Sequence, residues 1–381
     1  MKICIISDTH LHNWTQFSTI DKNGVNSRLK IILKEMYSVA EKAKEAGCEA
    51  LVHCGDLFHV KGKVDTSVLV PTTFLLEKIN SLFPKGVVLI TGNHDIDFSE
   101  NSNVAGNSLF IPKLQKVVSK VENGRLLASD GDILFIAWHK DIDTWKSVFE
   151  KAIEAHQPKF VFTHAPIDGA VKGVPAHGLT QEYLDSIGFK GKIFAGHYHN
   201  HKRISEQLIS VGALCHHSWS DVGSKAGFVI LDTDTGEWNF RESKAPKFVD
   251  LEGVPETVET TKTIAEEGGF RIVVVQEPEE KMKSLISGNY VRLTTDKEIK
   301  DAKEIRDFLI SQYRAKEALV NIKAKKAEVI RTETVSGITR NPLSDSICVY
   351  LDEVYKSETE EFRKKVKTQA LDILGLIGAE K

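Results

Sequence analysis

The stretch Val87-Val-Leu-Ile-Thr-Gly-Asn-His-Asp95 decides how this chain folds. Five aliphatic or β-branched residues in a row predict a strand buried on both faces, as in a parallel sheet covered by helices. The run stops at Gly92-Asn93-His94-Asp95. Gly and Asn are turn formers, but an amide, an imidazole and a carboxylate straight after a buried strand also suit a ligand rim. In open α/β sheets, ligands gather beyond the carboxyl ends of the strands.

The same arrangement recurs on either side. ICIIS (3–7) leads into Asp8-Thr-His10, and ALVHC (50–54) into Gly55-Asp56-Leu-Phe-His59. FVFT (160–163) leads into His164-Ala-Pro, and KIFA (192–195) into Gly196-His197-Tyr-His199. A lone Asp-x-His is common in proteins. Five such motifs, each at a strand end, read as one site in an α/β fold. Carboxylates, imidazoles and one amide oxygen favour borderline-to-hard divalent ions such as manganese or iron. Asp56 is the candidate bridging carboxylate. Two ions about 3.5–4 Å apart can hold an attacking hydroxide and stabilise both oxygens of an in-line displacement. The nucleophile therefore need not be a side chain.

The ordered motifs D-x-H, G-D, G-N-H-D, H and G-H-x-H resemble the calcineurin-like metallophosphoesterase superfamily. The resemblance implies a two-sheet sandwich flanked by helices. It also implies one ion on Asp8, His10, Asp56 and His199, and a second on Asp56, Asn93, His164 and His197. His94 would protonate the leaving oxygen, and Asp95 would orient or polarise His94. Gly-Asp-Leu-Phe-His59 is similar to the nuclease subunit of the SbcCD type, the double-strand-break repair family. There the histidine equivalent to His59 helps position the DNA backbone or the second metal's surroundings. Protein phosphatases typically carry Gly-Asp-x-x-Asp-Arg at this point. The run SWSDVGSKAGF (218–228) is similar to phage recombination endonucleases of that family. Ala213-Leu-Cys215 departs from the Gly-Ser-Pro turn frequent in cellular members.

That resemblance implies a manganese-dependent DNA nuclease, exonucleolytic on double strands and endonucleolytic on single strands. Its partner would be an SbcC-type ABC ATPase with a coiled coil. A homodimer would form through helices at 66–82 and part of 103–120. A phosphatase or phosphodiesterase acting on a small molecule or phosphoprotein is the alternative on the same scaffold. No G-x-x-x-x-G-K-[ST] loop occurs, so ATP hydrolysis is not expected of this chain.

Three regions are expected. Residues 1–250 form the metallophosphoesterase domain. Residues 251–330 hold an acidic, threonine-rich linker (254–269) and a small α/β capping unit, with strands at 270–275, 290–293 and 318–322 and a helix at 297–313. Residues 331–381 form a helical tail that grips the ATPase. In it Leu343, Ile347, Tyr350, Leu351 and Val354 share one helical face, and Phe362, Val366, Ala370, Ile373 and Ile377 another.

Composition narrows the setting. The 381 residues are 41% hydrophobic, enough for a sizeable core, and no apolar run is long enough to span a membrane. The strand-like start runs directly into Asp8 without a signal peptide pattern. Five scattered cysteines suit reduced thiols, and together these features predict a cytoplasmic protein. A net charge of −3 confines any nucleic-acid surface to a local patch. Lys61, Lys63, Lys202 and Arg203 near the motifs, and Lys323, Lys325 and Lys326, are its candidates. His53 is expected in the core. His12, His139, His156, His177 and His201 are expected on loops or the surface. Cys215-His216-His217 resembles a ligand set, but the main site is already complete without it.

Overall fold

The computed structural model describes residues 1–97, 106, 110, 113–114, 116–118, 121–124, 133–266, 269–295, 299–322, 351–352, 355–356 and 359–378. Met1–Lys323 forms one compact unit and Ala324–Lys381 another. In the first unit, one sheet contains β1 (Lys2–Ile6), β2 (Cys48–His53), β3 (Val87–Ile90), β4 (Lys116–Val118), β11 (Gly227–Asp232) and β12 (Trp238–Glu242). Their order is β12-β11-β1-β2-β3-β4. The second sheet contains β5 (Val121–Gly124), β6 (Ile133–Ile136), β7 (Phe160–His164), β8 (Lys192–Gly196), β9 (Lys202–Arg203) and β10 (Leu208–Ser210), in the order β5-β6-β7-β8-β10-β9. The central strands of both sheets run parallel.

Parallel neighbours need crossover connections, which the helices supply. They are α1 (Ser27–Glu45), α2 (Thr66–Asn80), α3 (Ile142–His156) and α4 (Gln181–Ser186). Alternation along each strand then builds three cores. Ile3, Ile5, Val52, Val88 and Ile90 face Phe135, Phe162, Phe194 and Ile209 of the other sheet. Cys4, Ile6, Leu51 and Leu89 face α1 and α2. Leu134, Val161 and Ile193 face α3 and α4. Both faces of these strands are therefore dry, which is why the runs read as continuous hydrophobics. Phe135, Phe162 and Phe194 stack across adjacent strands, with ring centroids 5.7 and 5.8 Å apart. Each ring contributes about 1.5–3 kcal/mol by leaving water. The expected two-sheet sandwich flanked by helices is thus the fold.

Beyond β12 a three-stranded parallel sheet forms from β13 (Phe248–Leu251), β16 (Tyr290–Thr295) and β17 (Glu317–Ile322), in that order. With α5 (Glu280–Ile286) and α6 (Ile299–Ser311) it encloses a separate small core of Val249, Leu251, Ile286, Val291, Leu293, Leu309 and Tyr313. The segment expected to be a linker is instead half of a long hairpin, β14 (Thr257–Glu266) paired antiparallel with β15 (Gly269–Pro278). Threonine-rich composition suggested a linker, but threonine is β-branched and favours strands. In the tail, α7 (Glu360–Gly378) is a helix that spans the second of the two expected segments. Most of the first (343–350 and 353–354), the polar stretch 331–341 and the lysines at 323–326 lie outside the described residues.

Candidate metal centre

All five motifs converge at the carboxyl ends of β1, β2, β3, β7 and β8. The first two loops run side by side. The amides of Asp8, His10 and Leu11 donate to the carbonyls of Gly55, Asp56 and Leu57 at 3.0, 3.1 and 2.8 Å. Asp8, His10, Asp56 and His197 all have positive φ, between 43° and 99°. Non-glycine residues rarely adopt this region, and such strain concentrates at functional sites. It turns each side chain back toward one point.

The result is a compact group of ligand atoms. Ligand atoms of Asp8, His10 and His199 lie within 4.8 Å of one another, as do those of Asp8, Asp56 and His164, and those of His10, His59 and His94. His10 Nε2 and His199 Nε2 approach to 3.1 Å. His199 Nδ1 donates to Asp221 at 2.7 Å, so its Nε2 presents a lone pair. His164 Nδ1 donates to the Cys54 carbonyl at 2.8 Å, which turns its Nε2 toward Asn93 Oδ1 at 3.0 Å and Asp56 Oδ1 at 3.4 Å. His197 Nδ1 lies 3.1 Å from the same Asn93 oxygen. Ring nitrogens and oxygens converging at these distances, each able to offer a lone pair once deprotonated, fit a pair of divalent cations. All seven candidate ligands, Asp8, His10, Asp56, Asn93, His164, His197 and His199, belong to this group.

Buried charge follows the same logic. Burial opposes ionisation of Asp56, but His164 and His10 outweigh it and hold its carboxyl well below the usual range. Burial also opposes a charged His164, yet Asp56 and then Asp8 raise it to about 9. A cation must displace that proton to bind the nitrogen. Affinity at this position is therefore expected to rise about tenfold per pH unit between about pH 7 and 9, then level off. Calorimetric titration of the metal-free protein with Mn²⁺ across that range tests this; a pH-independent affinity would refute it. The Cys54 thiol lies beside the site, but burial and then Asp8 push its pKa well up, so it remains a protonated thiol. Among the described residues, Cys4, Cys48, Cys54 and Cys215 are all unpaired thiols.

His94 stands at the half-exposed rim. Its backbone amide donates to Asp56 Oδ1 at 2.8 Å, and its Nδ1 meets the His59 carbonyl at 2.5 Å. The carbonyl can only accept, so Nδ1 carries a proton and Nε2 is the ring nitrogen left without that bond. Asp95 does not polarise this ring as expected. Its carboxylate turns inward and accepts the amides of Gly92, Asp56 and Phe58 at 2.8, 2.9 and 3.1 Å, tying the second and third motifs together. Burial and then the Asp56 charge push its pKa to about 7, against the pull of those amides. The His59 ring stacks parallel to His94 at 5.5 Å and packs against Trp14 at 4.4 Å.

Several participants were not evident in the sequence. Arg28, fixed by the Asn26 cap of α1, donates to the His217 carbonyl at 2.6 Å. His217 in turn reaches the Asp8 carbonyl at 2.8 Å through Nε2. Arg28 also lies 5.0–5.5 Å from the ring centres of Trp14, Phe248 and Tyr290, joining the small sheet to the metal loops. His216 receives the Phe248 amide at 3.1 Å. Of Cys215-His216-His217, His217 therefore supports the Asp8 loop and His216 the first strand of the small sheet. His53 is buried against Thr9, as expected of a core residue. Of the candidate phosphate contacts, Lys202 donates to the Gly169 carbonyl, Arg203 pairs with Glu206, and Lys63 lies 3.8 Å from Asp65.

Residues 1–201 match the model of the calcineurin-like phosphoesterase family. The chain belongs to that family. Its members are dimetal-dependent hydrolases of phosphate esters, and the His/Asp groups at this rim could hold the metals. Bound there, two cations would supply an activated water and neutralise phosphate charge in an in-line displacement. No curated protein matches the chain. Solved structures similar in fold include a dimetal phosphatase from Danio rerio (9% identity, TM-score 0.39, covering 60% of this chain and 91% of that one). Another is the phosphoesterase Yfce of E. coli (14%, 0.29, 61% and 90%). A third is the nuclease MPE of Pseudomonas putida (15%, 0.28, 63% and 87%). Among the described residues, no helix is long and apolar enough to cross a membrane.

Proposed function

We propose that this phosphoesterase is a manganese-dependent DNA nuclease of the SbcD type, working in DNA repair or recombination with an SbcC-type ATPase. The observation that carries the reading is the His59–His94 pair. The Gly-Asp-Leu-Phe-His motif places a second imidazole beside the leaving-group acid, its Nδ1 3.4 Å from that of His10. An imidazole there can hold a phosphodiester backbone, whereas protein phosphatases typically show Asp-Arg downstream of that Asp. The small α/β unit gives a second support. Through Phe248, Tyr290 and Arg28 it is braced against Trp14, which itself packs on His59.

Two contacts to partners belong to the same proposal. On α2, Val70 and Phe74 are 51% and 68% exposed, one turn apart, and suit a homodimer seam. On α7, Phe362 and Leu371 are exposed and suit docking against the ATPase coiled coil. The test is digestion of linear double-stranded and circular single-stranded DNA with Mn²⁺, with and without the ATPase and ATP. The same preparation, sized by light scattering, should have twice the chain mass. Hydrolysis of phosphoserine peptides or nucleotides in place of DNA would replace this reading with a phosphatase.

A further inference from the structure

Asp221 lies 22 residues beyond His199 in the chain, yet the two side chains meet. The carboxylate is 97% buried by the fold, at the end of a single 3-10 turn, Trp219–Asp221. One oxygen, Oδ2, accepts the amides of His217 and Ser218 at 2.7 and 2.9 Å. The other, Oδ1, accepts His199 Nδ1 at 2.7 Å. The turn is itself closed by a capping box between Ser218 and Asp221, so the carboxylate has little freedom to rotate. We infer that Asp221 is a positioning residue that fixes the tautomer of His199, keeping the proton on Nδ1 and the Nε2 lone pair toward the metal centre. The inference rests on reading His199, with Asp8 and His10, as a cation-holding group.

The geometry separates this role from simple capping of the turn. In Asp221→Asn, two buried N–H groups still demand an acceptor where Oδ2 stood. The amide oxygen must take that place, because an amide nitrogen there would set donor against donor. The NH₂ group then faces His199 Nδ1, which has to accept. The ring proton moves to Nε2, whose lone pair is lost to the cation. In Asp221→Ala the turn loses its cap, but the imidazole is free to keep Nε2 bare. The variant that better preserves the turn is thus the worse metal binder.

The experiment uses the full chain stripped of metal. Mn²⁺ binding by equilibrium dialysis is expected to weaken about 100-fold at one of two sites in Asp221→Asn and about tenfold in Asp221→Ala. Nitrogen-15 spectra of histidine-labelled, metal-free protein give an independent signature. The His199 signals should report Nδ1–H in the wild type and Nε2–H in Asp221→Asn. Binding weakened more by Ala than by Asn, or an unchanged tautomer in Asn, would overturn the role of Asp221 while leaving the metal centre standing. A wild type that binds no Mn²⁺ at all would overturn both.

Discussion

His94→Gln is expected to lower turnover of a phosphodiester by about 10²- to 10⁴-fold, the usual weight of a positioned general acid. The loss should fall on kcat, with metal content close to wild type. The backbone amide of His94, not its ring, supports Asp56, and the substitution spares it. The ring is held through Nδ1 by the His59 carbonyl, which leaves Nε2 as the one nitrogen able to deliver a proton. Glutamine can fill the volume and donate a hydrogen bond, but it has no proton to transfer. Leaving groups that are strong acids need no protonation as they depart. An aryl diester with a good leaving group should therefore suffer least, and DNA or an alkyl ester most. Equal losses across such a series would remove the acid role from His94 and make it a phosphate-binding group.

The contrast between His94 and Asp95 marks where sequence reading stopped. Each ligand follows a run of buried residues, and a strand's end fixes where the next side chain must lie. Position after a strand is thus enough to assemble Asp8, Asp56, Asn93, His164 and His197 on one rim. Which way a side chain turns within a tight loop is decided by the backbone. Asp95 is the neighbour of His94 in sequence, yet three unpaired amides of two different loops draw its carboxylate inward. Nothing in the pattern Gly-Asn-His-Asp encodes those amides. Asp221 posed the opposite difficulty. Its Ser218-x-x-Asp spacing reads as the start of a helical turn, and only tertiary packing brings the turn to His199. The first arm of the hairpin, Thr257–Glu266, reads as a linker for a third reason: composition alone does not separate a threonine-rich strand from a threonine-rich linker.

Gly92→Ala tests the close packing of the loops most severely. A Cβ at this position would land on the Asp56 backbone nitrogen and Oδ1, with Asp56 Cγ 3.0 Å away. A flexible side chain could swing aside, but Asp56 cannot. Its amide is bonded to Asp95 and its Oδ1 to the His94 amide. It also holds a φ of 57°, a conformation with no slack for a residue bearing a side chain. The strand-end loops would have to part together, at about 1–3 kcal/mol or more for overpacking a close-packed position. At about 2–4 °C per kcal/mol, the melting temperature should fall by several degrees. The larger effect is on the centre itself. Asp56 is the candidate bridging carboxylate; if it serves both cations, displacing it would take a ligand from each at once, and bound metal and hydrolysis should be lost together. Gly253→Ala is the matched control, because a Cβ there meets nothing within 4 Å. If Gly92→Ala melts with the control and still binds two equivalents of Mn²⁺, the packing of the second and third motifs is looser than these contacts require, and Asp56 is not the carboxylate the two cations share.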